Sequence, residues 1–273
     1  MVYVYRRKAS ESARDLAEAM TVNCRRLTDL AKAHFGNGVR AGDTVICWGE
    51  QLAPIEGVRI LNGAVLTNKM QDAQRLRAAG VPTVEVSPIR PPDVPANDSF
   101  DFRETNGRMT RADVRALVTR LNTFLATPVA VPITWLARRF NHQGGTDLLH
   151  PPAQPDYFSK RENLVTEYRI HLFNGKSLRA GTKVPRDAGI PHDWIRSHDG
   201  GWKISYDGFA SKKKQRAIAI AAVEALGLQF GAVHIGEKAD GSLIVLEVNR
   251  APGLEGNTTT AYAKAVQEWL AEG

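Results

Sequence analysis

Cysteine is scarce: Cys24 and Cys47 are the only two in 273 residues. Two cannot build the several bridges of a small secreted scaffold, and they argue against a zinc finger. Cys47 sits in the apolar run Thr44-Val45-Ile46-Cys47-Trp48. A buried free thiol in a reducing, cytoplasmic setting is expected. Long apolar runs are missing as well. None approaches the roughly 18 residues that cross a bilayer. Met1–Tyr5 is cut short by Arg6, Arg7 and Lys8, so it lacks the apolar core of about 7–15 residues that a signal peptide needs. No membrane segment is expected. The seven histidines follow no zinc spacing. There is no Ser/His/Asp or Cys/His set for nucleophilic catalysis, and no repeat of solenoid period.

What is present is ordinary for a globular chain: 43% hydrophobic and 24% charged residues. That excludes a wholly disordered, collagen-like or coiled-coil protein. The net charge of +7 suits an anionic partner such as a nucleotide or nucleic acid, and it equally suits a solvated surface.

The order of elements reads as α/β. Met1–Tyr5 alternates like a strand, Ser10 caps a helix running to about Ala33, and Thr44–Trp48 is a short buried strand. Asn68–Ala79 is a helix stopped by Gly80, and Val81–Val86 resumes as a strand. The proline-rich stretch from Pro88 to Gly107 reads as a loop. A helix over Thr110–Leu125 and a strand over Val129–Leu136 follow. Leu164–Phe173 and Ser177–Val184 read as a hairpin about Asn174-Gly175, a type I′ turn signal. Lys212–Leu226 is a helix, Phe230–Ile235 and Leu243–Val248 are strands, and Thr258–Ala271 closes the chain as a helix.

The most informative segment runs from Phe230 to Gly256. Side chains alternate along a strand, so Glu247 and Asn249 share a face. One carboxylate and one amide oxygen side by side are hard donors of the kind magnesium takes together with substrate phosphates. Arg250 follows, able to meet a phosphate or a carboxylate.

The run Glu247-Val248-Asn249-Arg250-Ala251-Pro252-Gly253-Leu254-Glu255-Gly256 resembles the C-terminal signature of the ATP-grasp superfamily. It is most similar to the branch holding the ribosomal-protein glutamate ligases and related phage proteins. The resemblance implies an α/β (α+β) fold: a small N-terminal α/β lobe at 1–66, then two α+β lobes at 67–158 and 159–273 that clasp ATP. It implies ATP and Mg²⁺ as cofactors, with Glu247 and Asn249 as metal ligands. Gly227 to His234 resembles the strand whose final Asp is the family's third ligand; here His234 stands there. Histidine is a poor magnesium ligand, so the site then holds fewer protein ligands, tolerates Mn²⁺, or is weakened.

Further along the resemblance, Glu167-Tyr168-Arg169-Ile170-His171-Leu172 is similar to the strand whose Arg faces the active site. Arg169 and Glu167 also lie i, i+2 and could pair with each other. Lys183, and less well Arg186, matches the basic end of the return strand that reaches the phosphates. Lys69 and Arg138 match the two nucleotide-binding basic positions. The loop His142-Gln143-Gly144-Gly145-Thr146 resembles the glycine loop that closes over the triphosphate, through Gly144 and Gly145. The adenine hinge falls near Tyr157-Phe158-Ser159-Lys160, with no residue assigned to the base. Arg196 matches a segment holding acceptor and acyl phosphate.

The implied reaction joins a carboxylate to an amine: ATP makes an acyl phosphate, the amine attacks, and ADP and phosphate leave. Arg169, Arg250 and Arg196 are its catalytic candidates. The partners are ATP, a small carboxylate and an amine, with a macromolecular acceptor or homo-oligomer as further options. The loop Pro88–Gly107 and the segment Ile190–Gly208 are natural specificity elements. Two other readings stay open. One is a nucleic-acid-associated protein, from Arg6-Arg7-Lys8, Arg25-Arg26 and Lys212-Lys213-Lys214 with Arg216. The other is a nucleotide-binding protein that does no chemistry.

Overall fold

In a computed structural model of the chain, the described residues are 1–6, 10–26, 39–91, 135–140, 147, 152, 154–186, 191–192 and 195–272. The first strand, β1 (Val2–Arg6), leads into helix α1 (Glu11–Ala19) and strand β2 (Asn23–Arg26). Ser10 is the N-cap, its side chain accepting from the Ala13 amide at 3.2 Å. The helix was expected to reach about Ala33 but ends at Ala19. Thr21 takes φ 58°, and the chain then pairs as β2 along β1, from Tyr3 opposite Asn23 to Arg6 opposite Arg26. That parallel pairing overrides the local helical spacing. With β3 (Thr44–Cys47) and β4 (Arg59–Leu61) these strands form a parallel sheet in the order β2-β1-β3-β4. Cys47 is buried and free, and burial pushes its thiol up to about 12.

Helix α2 (Lys69–Ala78) follows a full capping box, Asn68 accepting from the Gln71 amide at 2.9 Å and Gln71 reaching back at 3.0 Å. Gly80, at φ 74°, ends it. Of the expected Val81–Val86 strand only Val86 joins a ladder, in β5 (Val86–Ser87), while Thr83 makes an isolated parallel bridge to Val245. Strand β6 (Trp135–Arg138) and strand β7 (Tyr157–Lys160) complete a three-stranded sheet in the order β5-β7-β6. The rest of the loop from Pro88, the helix expected over Thr110–Leu125 and the start of the Val129–Leu136 strand lie outside the described residues.

The third sheet is antiparallel and positions the site. Strand β8 (Thr166–Phe173) turns through Asn174 (φ 42°) and Gly175 (φ 70°) into β9 (Lys176–Pro185), the hairpin the Asn-Gly pair predicts. Strand β10 (Trp202–Ser205), helix α3 (Lys213–Ala225), β11 (Phe230–Glu237), β12 (Leu243–Asn249) and helix α4 (Asn257–Ala271) complete the chain. The strand order is β10-β9-β8-β11-β12.

Each face of this sheet has its own partner. Ile170, Leu172, Val233, Ile235 and Val245 pack on Ala219, Ala222 and Val223 of α3 and on Leu226 at its C-cap. Burying one such aliphatic side chain stabilises by about 1.5–3 kcal/mol. At one end of the opposite face, Phe173 and Phe230 join Tyr262 of α4, Leu16 of α1 and Trp48 beyond β3. Trp48 stacks on Phe230 at 5.1 Å and meets Tyr262 edge-on at 5.7 Å. Asn62, in the left-handed region at φ 63°, ties β4 to β11: its side chain accepts from the Gln229 and Phe230 amides at 2.9 and 3.2 Å. The remaining part of that opposite face is charged.

Candidate active site

Two bulges decide which side chains reach the charged face. In the β11–β12 ladder His234 lies opposite Glu247 but Ile235 opposite Val245, so Leu246 is the extra residue. Without it, Val245, Glu247 and Asn249 would all share one face. With it, Val245 enters the core while Glu247 and Asn249 stay on the polar side. In the β8–β9 hairpin His171 pairs with Arg179 and Leu172 with Ser177, so Leu178 is extra. Across the strands the polar face reads Gly181–Arg169–His234–Glu247 and, one step along, Arg179–His171–Ala232–Asn249.

Three of the residues expected at the nucleotide meet in one cleft. Lys69, Arg138 and Glu247 line it together with Tyr157, Leu246 and Val248. Lys69 Nζ donates to Glu247 Oε2 at 2.8 Å. Both side chains are about one-third exposed, so the pair contributes little to stability, about 0–1 kcal/mol. Arg138 sits on β6 with Nε 2.8 Å from the buried Asp147 carboxylate. The expected hinge, Tyr157–Lys160, is β7, which forms the wall of this cleft through Tyr157 and Ser159. Burial pushes the Tyr157 hydroxyl up to about 12.

His234 Nε2 lies 3.9 Å from Glu247 Oε1. Burial pulls its imidazole down to about 3, against the pull of Glu247, so it is neutral. Asn249 accepts from the Ala251 amide at 3.0 Å, which uses one lone pair of its amide oxygen for the turn. Among the described residues no group of three or more His, Cys, Asp or Glu gathers as a metal site. Glu247 with Asn249 nevertheless fits a magnesium ion shared with phosphate oxygens. The donors are hard, and the carboxylate already takes a cation, the Lys69 ammonium.

Lys183, on β9, is 3.0 Å from Glu167, with both side chains largely buried. Glu167 therefore pairs with Lys183 and not with Arg169. Arg169 keeps a buried Nε that has no hydrogen-bond partner.

Two expected catalytic residues are placed differently. Arg250 is buried away from the polar face. It donates to the Val65 carbonyl at 2.8 Å, to Thr67 Oγ1 at 2.6 Å and to Asp72 at 2.7 Å. It braces the start of α2, where Lys69 sits, and is committed before any substrate arrives. Arg196 donates to the Leu164 carbonyl at 2.9 Å and lies 5.1 Å over the Trp202 ring, so it fastens the segment before β8. Gly144 and Gly145 lie outside the described residues.

Sequence reasoning missed Arg179 and Tyr206. The Arg179 guanidinium lies 4.1 Å over the Tyr206 ring and donates to Thr258 Oγ1 at 2.6 Å. Tyr206 crosses β9 at Gly181, where a Cβ would stand 2.7 Å from the Ser205 carbonyl and 2.8 Å from the Tyr206 ring. The basic run at 212–214 is exposed at the start of α3, with Lys214 paired to Glu237 at 3.5 Å.

No family model matches the sequence, and no curated protein sequence matches it. Solved structures do match. The ATP-grasp ligase PsnB, complexed with a minimal precursor, superposes with a TM-score of 0.60 at 12% identity over 98% of each chain. The D-cycloserine synthetase DcsG gives 0.52 at 15% identity, over 98% of this chain and 99% of that one. The D-alanine–D-alanine ligase of Bacillus anthracis gives 0.54 at 11% identity, over 100% and 99%. Another PsnB structure holds a precursor variant, Mg and ADP, at a TM-score of 0.56 and 10% identity. Mixed α/β with an antiparallel sheet bearing the charged face, the chain has the ATP-grasp fold.

Proposed function

We propose that this protein is an ATP-dependent carboxylate–amine ligase acting on amino-acid or peptide-like substrates. The signature from Glu247 to Gly256 supports placing it near the ribosomal-protein glutamate ligase-like branch. The observation that carries the reading is the convergence of Lys69, Arg138 and Glu247 on one cleft, walled by the apolar Leu246 and Val248. Two cations beside a carboxylate and next to apolar side chains suit a triphosphate joined to an aromatic base.

Lys69 and Arg138 bind phosphate oxygens, and Lys183, held by Glu167, presents a third positive charge from β9. Glu247 and Asn249 hold the metal. Magnesium, when bound, neutralises charge on the β- and γ-phosphates. Arg169, in the same row of the face as Glu247, orients the substrate carboxylate and stabilises the oxyanion when the amine attacks. Carboxylate oxygen displaces ADP from the γ-phosphorus. The amine nitrogen then attacks the acyl carbon, phosphate leaves, and the nitrogen loses a proton. Arg250 and Arg196 act as positioning residues, through α2 and through the entry to β8.

Hydroxylamine, supplied as the amine, tests the reading. With ATP, Mg²⁺ and a panel of amino acids and short acidic peptides, a hydroxamate should form together with ADP, and neither should form when the carboxylate is omitted. Nucleotide binding with no hydroxamate or ADP across the panel would favour a protein that binds ATP without chemistry.

A further inference from the structure

Across its two rows the polar face holds a feature that nucleotide handling leaves unused. Arg169 and Arg179 are diagonal neighbours across β8 and β9, with side chains on one face. Such neighbours are about 7–8 Å apart, within reach of one small ligand. Both guanidiniums act on the same two groups, the His171 ring and the Tyr206 hydroxyl. The carboxylates on this face are committed elsewhere, Glu167 to Lys183 and Glu247 to Lys69. Among the described residues no carboxylate forms an ion pair with Arg169 or Arg179; Glu255 is the one acidic group felt at Tyr206.

The surroundings are built to hold this charge in place. His171 is fully buried, with Nε2 2.9 Å from the Tyr206 hydroxyl and Nδ1 3.3 Å from the Tyr262 hydroxyl. Tyr262 donates to the Gly231 carbonyl at 3.2 Å. One direction satisfies the whole chain: Tyr206 donates to Nε2, the Nδ1 proton goes to Tyr262, and Tyr262 donates onward. His171 therefore fixes Tyr206, the Tyr206 ring carries Arg179 at 4.1 Å, and Thr258 anchors the guanidinium from the other side. Close approach of Tyr206 needs the glycine at 181. Arg169 meanwhile keeps its buried, unpartnered Nε. A buried donor left unpaired is costly, and two adjacent cations repel, so the cluster gains most from an anion that bridges them.

Resting on the ligase reading, we propose that Arg179 with Arg169 forms a subsite for a second carboxylate of the acyl donor, which makes the substrate a dicarboxylic acid or an amino acid carrying two carboxylates. The reacting carboxylate lies on the Glu247 side of Arg169, and the second lies toward Arg179 at the β9 edge. An arginine fork binds a carboxylate through two parallel hydrogen bonds, so Arg179 is a substrate-binding residue.

The test is a thermal-shift titration at matched ionic strength with succinate and glutarate against butyrate and chloride, with and without Mg²⁺ and AMPPNP. At least one dicarboxylate should stabilise the wild type saturably, with an apparent constant tenfold or more below that of butyrate. Arg179→Gln should erase that preference, and Arg179→Lys should keep part of it. Equal response of the wild type to dicarboxylate and monocarboxylate overturns the subsite even if both variants fail to fold. Preference surviving in Arg179→Gln overturns it too. The nucleotide arm is read separately on the wild type: no AMPPNP shift with the dicarboxylate preference intact would sink the ligase reading and leave the anion subsite standing.

Discussion

The two faces of the five-stranded sheet are made from the same strands, residue by residue in alternation, yet they answer to different demands. Ile170, Leu172, Val233 and Ile235 face α3 and are almost wholly buried. Arg169, Lys183 and Glu247 face the other way and gather charge beside the neutral His234. At both ends of the charged face a bulge, at Leu246 and at Leu178, brings a polar side chain to it that plain alternation would have turned to the core. An extra residue locally disrupts the ladder, and such bulges are common beside functional sites. Substitutions on one face should therefore cost stability, and those on the other should cost ligand binding.

Arg250 should give the largest effect and blurs the contrast, because it stands in the signature yet acts as a brace. Arg250→Ala leaves Asp72 buried and unpaired, which costs about 3–5 kcal/mol for a pair this buried. Urea denaturation should show that loss, and a joint Arg250→Met, Asp72→Leu variant should recover much of it. On the core face, Ile170→Ala should cost about 2–5 kcal/mol in the same assay. The nucleotide affinity of the protein that remains folded should not change; a selective loss of affinity would break the division between faces.

His171 sharpens the comparison through pH. Burial lowers its pKa from 6.5 to about 2, so the folded protein keeps the ring neutral while the unfolded chain protonates it. Its contribution is whole above pH 6.5 and is lost as pH falls toward 2, by about 1.4 kcal/mol per pH unit across that window. Denaturation at pH 7 and pH 5 should show a smaller stability difference for His171→Gln than for the wild type. An unchanged difference would mean that the ring is not held neutral. Lys69→Met should move stability least, by less than about 1 kcal/mol, while weakening ATP binding tenfold or more. Unfolding of this variant would show that Lys69 belongs to the structural half of the comparison.

Local chemistry made part of this legible in advance. The helix stopped by Gly80, the Asn174-Gly175 turn and the last two strands rest on short-range signals, and all form. Glu247 and Asn249 share a face as alternation requires. The failures come from long-range pairing. Strand β2 replaces the second half of an expected helix because β1 offers it a partner, and the short strands β4 and β7 form only as sheet neighbours. Arg179 was missed because a two-residue turn in regular register sets it opposite Ile170, on the core side. The extra residue at Leu178 moves it opposite His171. The inward turn of Arg250 onto Asp72 depends on where α2 packs, which no motif encodes.

The most direct measurement of the central claim is the thermal stability of the wild type and Glu247→Gln, titrated with ATP in the presence and absence of magnesium. A ligand bound only by the folded protein stabilises it by about 2.7 kcal/mol at a hundredfold excess over Kd, about 2–4 °C for each kcal/mol in a chain of this size. The wild type should show a magnesium-dependent shift that Glu247→Gln loses. An equal shift in both proteins, or none with any nucleotide, would contradict the central claim.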